Sequence, residues 1–253
     1  MLAAVPGAVL APRAQGGPPR VAERAHAAVS RTAAPGAEDR SPASRSATAA
    51  RRAPAPPRRP ITNLPAPGRT VVLTFDDGPD PRWTPTVLDL LRQYHARAVF
   101  CLVGVHVAEQ PALVRRIVRE GHLLCDHTWT HDERLPHRSL AVIESEIGRT
   151  ATELATLTGR RPRYFRAPGG NWAPNVIAVA RSGGMAPLGW SVDPTDWARP
   201  GSSVIATRVL AAVHPGAVVL MHDGYGRREQ SVAALRTILR VLAARGYRFA
   251  VPD

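Results

Sequence analysis

The chain has 253 residues, with 33 basic side chains against 20 acidic ones, a formal charge of +13 and not a single lysine. That length holds one large domain or two small ones, and no stretch approaches the roughly eighteen apolar residues of a membrane-spanning helix. Two cysteines, Cys101 and Cys125, are too few to form a zinc motif by themselves. Both sit in apolar runs, either as buried thiols or as the halves of one disulfide.

Residues 1–60 are dominated by Ala, Pro, Arg, Ser and Gly, contain no aromatic residue, and carry ten arginines against three acids. Such a segment buries too little apolar surface to offset its ordering entropy, so a disordered tail or linker is expected. Its charge reflects either a general preference for arginine or an electrostatic tether to an anionic surface such as the cell envelope. No aromatic residues interleave with these arginines, which argues against nucleic acid as a partner. Residues 2–11 are apolar but short, interrupted by Pro6 and not preceded by a basic residue; they read as the remnant of a secretory signal or as more tail. The domain is placed at 61–253, long enough for one core.

Beyond residue 68, short apolar and β-branched runs predict strands near 70–76, 98–103, 122–126, 163–166, 186–191, 217–221 and 247–250. Helical periodicity lies between them, at 84–95, 111–120, 139–157, 174–181, 202–213 and 230–245. Pro111 and Gly121 bracket one of these helices in the favoured order, and Ser139 and Gly159 are the expected start and stop of another. Seven strands alternating with six helices indicate an α/β fold around a parallel sheet, either open and doubly wound or closed as a barrel. Asp76-Asp77-Gly78-Pro79 stands where a dinucleotide-binding fold would carry its glycine-rich loop, which argues against a dinucleotide site.

The unusual polar residues fall just after predicted strands: Asp76 and Asp77, His127 and His131, Arg166, Asp193 and Asp196, and His222. In an α/β barrel those strand ends share one rim, where active sites form. Adjacent carboxylates at the end of an apolar strand repel one another and call for a cation. His127 and His131, four residues apart on a helical turn or a loop, supply two imidazoles. Two His and one Asp make a catalytic-type ligand set for zinc or a similar divalent ion. The second carboxylate is then free to act as a general base. His222 is the candidate acid, kept protonated by Asp193 or Asp196, and Arg166 is the natural partner of the base. The remaining histidines, His106 and His122 among them, read as surface or packing residues.

Thr74–Pro79, His127–His131, Arg166-Ala167-Pro168-Gly169-Gly170, 193–197 and Leu220-Met221-His222 together resemble, in order and spacing, the motifs of the NodB-type polysaccharide deacetylases, carbohydrate esterase family 4. The resemblance covers roughly residues 70–250. It implies a distorted (β/α) barrel, a divalent metal that is usually zinc, with cobalt or manganese as alternatives, and hydrolysis of acetyl groups on sugars. By position, Asp76 resembles the general base, Asp77, His127 and His131 the metal ligands, and His222 the general acid. Arg166 matches the arginine that orients the base, and Asp196 the acid that tunes the catalytic His. Trp197 and Leu220 match the walls of the acetyl pocket, although Trp197 also suits ordinary core packing.

Two positions depart from the family pattern. Gly169 replaces a common aromatic residue, which removes a wall of the groove while leaving a backbone N–H to face an oxyanion. Asp126 stands where Asn is frequent, an added acid beside the first metal histidine. The expected protein is a monomeric, secreted or envelope-associated enzyme acting on an acetylated glycan. N-deacetylation of peptidoglycan or a chitin-like glycan leads; the alternatives are an acetylxylan-type O-deacetylase and a non-catalytic glycan-binding module.

Overall fold

The computed structural model describes residues 55–64 and 68–251. The expected tail, as far as residue 54, and the apolar stretch at 2–11 lie outside the described residues. The strands are β1 (Thr70–Asp76), β2 (Ala98–Leu102), β3 (Leu123–Asp126), β4 (Tyr164–Phe165), β5 (Ala186–Pro187), β6 (Val218–His222) and β7 (Arg248–Phe249). The helices are α1 (Thr84–Gln93), α2 (Gly104–Glu109), α3 (Pro111–Arg119), α4 (Leu140–Thr158), α5 (Pro174–Ser182), α6 (Ser202–Ala212) and α7 (Glu229–Ala244). The six expected helices are all present. α2 is additional: at six residues it is too short to show a helical period.

All strand pairs are parallel, in the order β5-β4-β3-β2-β1-β6, with β7 beside the start of β1. All seven residues of β1 are buried, as a central parallel strand covered on both faces requires. Alternation divides them. Val71, Leu73 and Phe75 face the outer helices, in one core with Leu88 and Leu91 of α1 and Leu235, Ile238 and Leu239 of α7. Val72 joins Val99, Cys101, Cys125, Tyr164, Leu188 and Val218 in a separate inner cluster. Thr74 and Asp76 share the parity of Val72, so they face the interior too.

The sheet closes on itself. Beyond β5, the amides of Ser191 and Val192 donate to Val218 O at 3.0 and 3.1 Å, and Leu220 N donates to Val192 O at 2.9 Å. Residues 61–64 occupy the rest of the seam, with bridges from Ile61 to Leu188 and from Asn63 to Ala217. The result is the distorted barrel that the family motifs implied. β5 is only two residues long, where a strand near 186–191 was expected, because Leu188 and Gly189 leave their carbonyls to a buried arginine.

Cys101 and Cys125 stand directly opposite one another on β2 and β3, their Cα atoms 4.2 Å apart, and are joined as a disulfide. The bond lies inside the barrel and closes a loop of about 25 residues, worth roughly 3 kcal/mol on the chain-entropy account. Titration of the unfolded, unreduced protein should therefore find no free thiol. The C101A/C125A protein should unfold in urea with a stability lower by roughly 2–4 kcal/mol. Two titratable thiols per chain would exclude the bond.

Candidate active site

Four strand ends and the loop after β5 deliver the expected residues to one mouth. Asp76 ends β1 and points inward. Asp77 follows in the left-handed region, at φ 76°, which turns its carboxylate toward the same space instead of the opposite face. Asp76 Oδ1 receives Arg166 Nη1 at 2.6 Å. Arg166, directly after β4, is completely buried, and each of its nitrogens has an acceptor: Leu188 O for Nε, Thr74 Oγ1 and Asp76 Oδ1 for Nη1, and Gly189 O for Nη2, at 2.6–3.0 Å. A buried charge is tolerable only with such complete pairing. Asp76 Oδ2 remains toward the mouth, 3.6 Å from His127 Nε2.

His127 and His131 lie on a loop, not a helix, with Thr128 and His131 at positive φ. The loop is pinned by Thr128 N to Asp126 Oδ1 at 2.8 Å and by the Glu146 carboxylate, which accepts from the Trp129 and Thr130 amides. His127 Nδ1 is 2.8 Å from Arg166 O. A carbonyl can only accept, so Nδ1 carries the proton and Nε2 turns its lone pair to the mouth. Asp77 Oδ1 is 3.6 Å from His127 Nε2 and 3.3 Å from His131 Nε2.

One ligand atom from each of Asp77, His127 and His131 lies within 4.8 Å of the others. Asp77 Oδ1 is buried and makes no hydrogen bond. Burial opposes ionisation of Asp77, but the neighbouring His127, His222 and His131 hold its pKa below the usual carboxylate range. Burial and the neighbouring His127 push the His131 pKa down, against the pull of Asp77 and Asp76. A carboxylate held ionised, two imidazole nitrogens and a buried oxygen without a donor fit a divalent cation.

On the other side, His222 Nδ1 is 2.7 Å from Asp196 Oδ1, and Asp196 Oδ2 takes His222 N at 3.0 Å and Ser231 Oγ at 2.6 Å. Burial disfavours the imidazolium, yet the Asp196 hydrogen bond and the charges of Asp196, Asp77 and Asp76 outweigh it and raise the His222 pKa to about 9. Asp193 does not reach His222; its Oδ1 accepts from Thr195 N at 2.7 Å.

A cavity of about 650 Å³ joins these groups, with Trp190, Trp197, Leu220, Tyr225, Gly169 and Gly170 in its walls. Trp197 is 55 % exposed, so it is a wall and not a packed core residue. Gly169, at φ 61°, leaves its side of the mouth open, and a Cβ there would crowd Asn171 Nδ2 at 2.9 Å.

The polysaccharide deacetylase family model matches residues 63–188. The chain is 43 % identical over 191 residues to a chitooligosaccharide deacetylase of Bradyrhizobium, covering 71 % of this chain and 87 % of that one. It is 40 % identical over 190 residues to a peptidoglycan-N-acetylglucosamine deacetylase of Bacillus cereus, covering 72 % and 85 %. The chain belongs to the polysaccharide deacetylase family. Its backbone is also similar to the family 4 carbohydrate esterase of Streptomyces lividans, whose structure holds acetate: TM-score 0.68 at 33 % identity, covering 73 % of this chain and 93 % of that one.

Several groups around this deacetylase-family mouth are invisible in the sequence reading. His106, set aside there as a packing residue, donates from Nδ1 to Asp77 O at 2.8 Å. Ser231 holds Asp196, Thr74 holds Arg166, and Tyr225 lies against His106 and His131 with ring centroids 4.7 and 5.3 Å away. Arg228 reaches Asp77. The partners of His106, Ser231, Thr74 and Arg228 lie 29 to 151 residues away in the chain, so no local spacing marks these contacts.

Asp126, expected as an added charge, is fully buried; burial and Glu146 raise its pKa well above the usual range, against the Thr128 hydrogen bond. Its neutral form is therefore favoured inside the fold. A raised carboxylate pKa means that folding takes up a proton above the unfolded-state value near 4, so stability falls as pH rises from there. D126N removes that dependence. The chelated variant should melt above chelated wild type at pH 8, with the gap narrowing toward pH 5; equal melting temperatures at pH 8 would show that Asp126 is no burden.

Proposed function

We propose that the chain is a metal-dependent N-deacetylase of a glycan containing N-acetylglucosamine, peptidoglycan or a chitin-like oligomer, with zinc as its metal. The observation that carries this reading is the placement of an arginine-held carboxylate and an aspartate-held histidine in one cavity, on either side of the Asp-His-His set. The names of the curated relatives supply the amide and the sugar.

Asp77, His127 and His131 would hold the cation, which when bound acidifies water and draws charge from the acetyl carbonyl. Arg166 fixes Asp76 Oδ1, so that Oδ2 takes the proton as the water oxygen adds to the acetyl carbon. Gly169 N–H, which makes no hydrogen bond among the described residues, is available to the developing oxyanion. With Nδ1 bound to Asp196, His222 turns its Nε2 proton to the cavity and delivers it to the leaving nitrogen, releasing acetate and the sugar amine. Trp197 and Leu220 enclose the acetyl methyl.

We place the enzyme outside the cytoplasm or at the envelope, where such glycans lie and where a disulfide such as Cys101–Cys125 persists. Among the described residues no helix is long and apolar enough to cross a membrane.

D76N and H222A should each lower turnover about 10²-fold or more, the scale of a positioned base or acid. Near-normal acetate release from both, with metal retained, would overturn the assignments. Chitooligosaccharide, peptidoglycan and acetylated xylan should be compared with and without chelator and zinc add-back; release from xylan alone would sink the amide reading. The pH profile gives a separate check. His222 is protonated below its raised pKa and loses its proton above it, so activity should fall on the alkaline side. D196N should move that fall to lower pH.

A further inference from the structure

Asp77 is gripped from behind by the segment that follows His222. Asp223 N donates to Asp76 O at 3.0 Å. Gly224 packs so closely on Asp77 that a Cβ there would collide with the Asp77 carbonyl and the Gly78 nitrogen. Arg228 lies at the start of α7, 6 % exposed, and lines the cavity. Its Nε donates to Gly224 O at 2.6 Å, and its Nη2 is 3.5 Å from Asp77 Oδ2. The two oxygens of Asp77 thus have different neighbours: Oδ2 faces a guanidinium, and Oδ1 faces two imidazole nitrogens and makes no hydrogen bond.

We infer that Arg228 is a positioning residue for the metal site, holding Asp77 by Oδ2 so that Oδ1 is the oxygen presented beside His127 and His131. The inference rests on the proposed metal site. The terminal torsion of an aspartate is broad and nearly two-fold, so a carboxylate without such a hold samples many orientations. The guanidinium fixes it by two separate nitrogens, one on the loop and one on the carboxylate. Lysine keeps the charge but has one nitrogen to serve both, and glutamine keeps a donor but loses the charge. Neighbours that orient metal ligands typically contribute 10–100-fold to metal affinity. Arg228 also leaves the base free: Asp76 has its own arginine, and the pair Arg166–Asp76 shares no atom with the pair Arg228–Asp77.

The test is zinc affinity of the full chain, stripped of metal and titrated against a chromophoric chelator, for wild type, R228Q and R228K. Wild type should bind one zinc. R228Q should bind about 10–100-fold more weakly, with R228K between them. Raising free zinc should restore most of the turnover of R228Q, because base and acid are intact. A purely structural role for Arg228 would instead lower the melting temperature and leave zinc affinity unmoved. Wild-type zinc affinity in R228Q, or in R228K should R228Q fail to fold, would overturn the inference. Failure of wild type itself to bind zinc would overturn the metal reading beneath it.

Discussion

A guanidinium with no access to water organises this molecule. Arg166 joins the loop after β5, through Leu188 and Gly189, to Thr74 and Asp76 of β1, and Thr74 passes the connection to Val219 of β6 at 2.8 Å. Its own carbonyl then sets the tautomer of His127. Side chain and main chain of one residue therefore address Asp76 and His127 together. A buried ion pair adds little net stability compared with an apolar replacement. What it fixes here is geometry, since losing either partner leaves the other charge stranded in the barrel.

The mouth collects more carboxylates than one cation can balance, and environment sorts them. Asp76 is matched by Arg166, and Asp77 by imidazoles and Arg228. Asp126 is pushed toward its neutral form by burial. Asp223 is pushed up to about 7 by burial and by Asp77, Asp76 and Asp80, against its hydrogen bond from Thr84. Neighbouring acids whose environments drive their pKa values apart mark a division of roles within one site.

Much of this was legible because charged residues at the ends of apolar strands are conspicuous. Asp76-Asp77, Arg166 and His222 each interrupt a run that burial would otherwise keep apolar, and alternating elements implied a shared rim. The α/β class and the shared rim follow from that contrast; the barrel and the choice of family rest on the resemblance of five ordered motifs. The disulfide could not be decided until the β2–β3 register put Cys101 opposite Cys125. Likewise the choice between Asp193 and Asp196 depends on a turn whose path no periodicity encodes. Ser231, His106 and Arg228 act across 29 to 151 residues of chain, and an arginine in a chain rich in them carries no signal.

The barrel wall is not made by its strands alone. Ile61 N donates to Pro187 O and receives nothing less in return: Gly189 N donates to Ile61 O, both at 2.8 Å, while Leu64 N donates to Gly216 O at 2.9 Å. Gly189 is also an acceptor for Arg166, so the stave formed by residues 61–64 stands three hydrogen bonds from Asp76, by way of Gly189 and that arginine. Processing that stops short of Ile61 spares this wall. Processing that removes residues 61–64 would strip backbone partners from Pro187, Gly189 and Gly216 and open a route for water to the back of Asp76, so the lower limit of the folded domain is set by a hydrogen-bonded seam and not by where the composition changes.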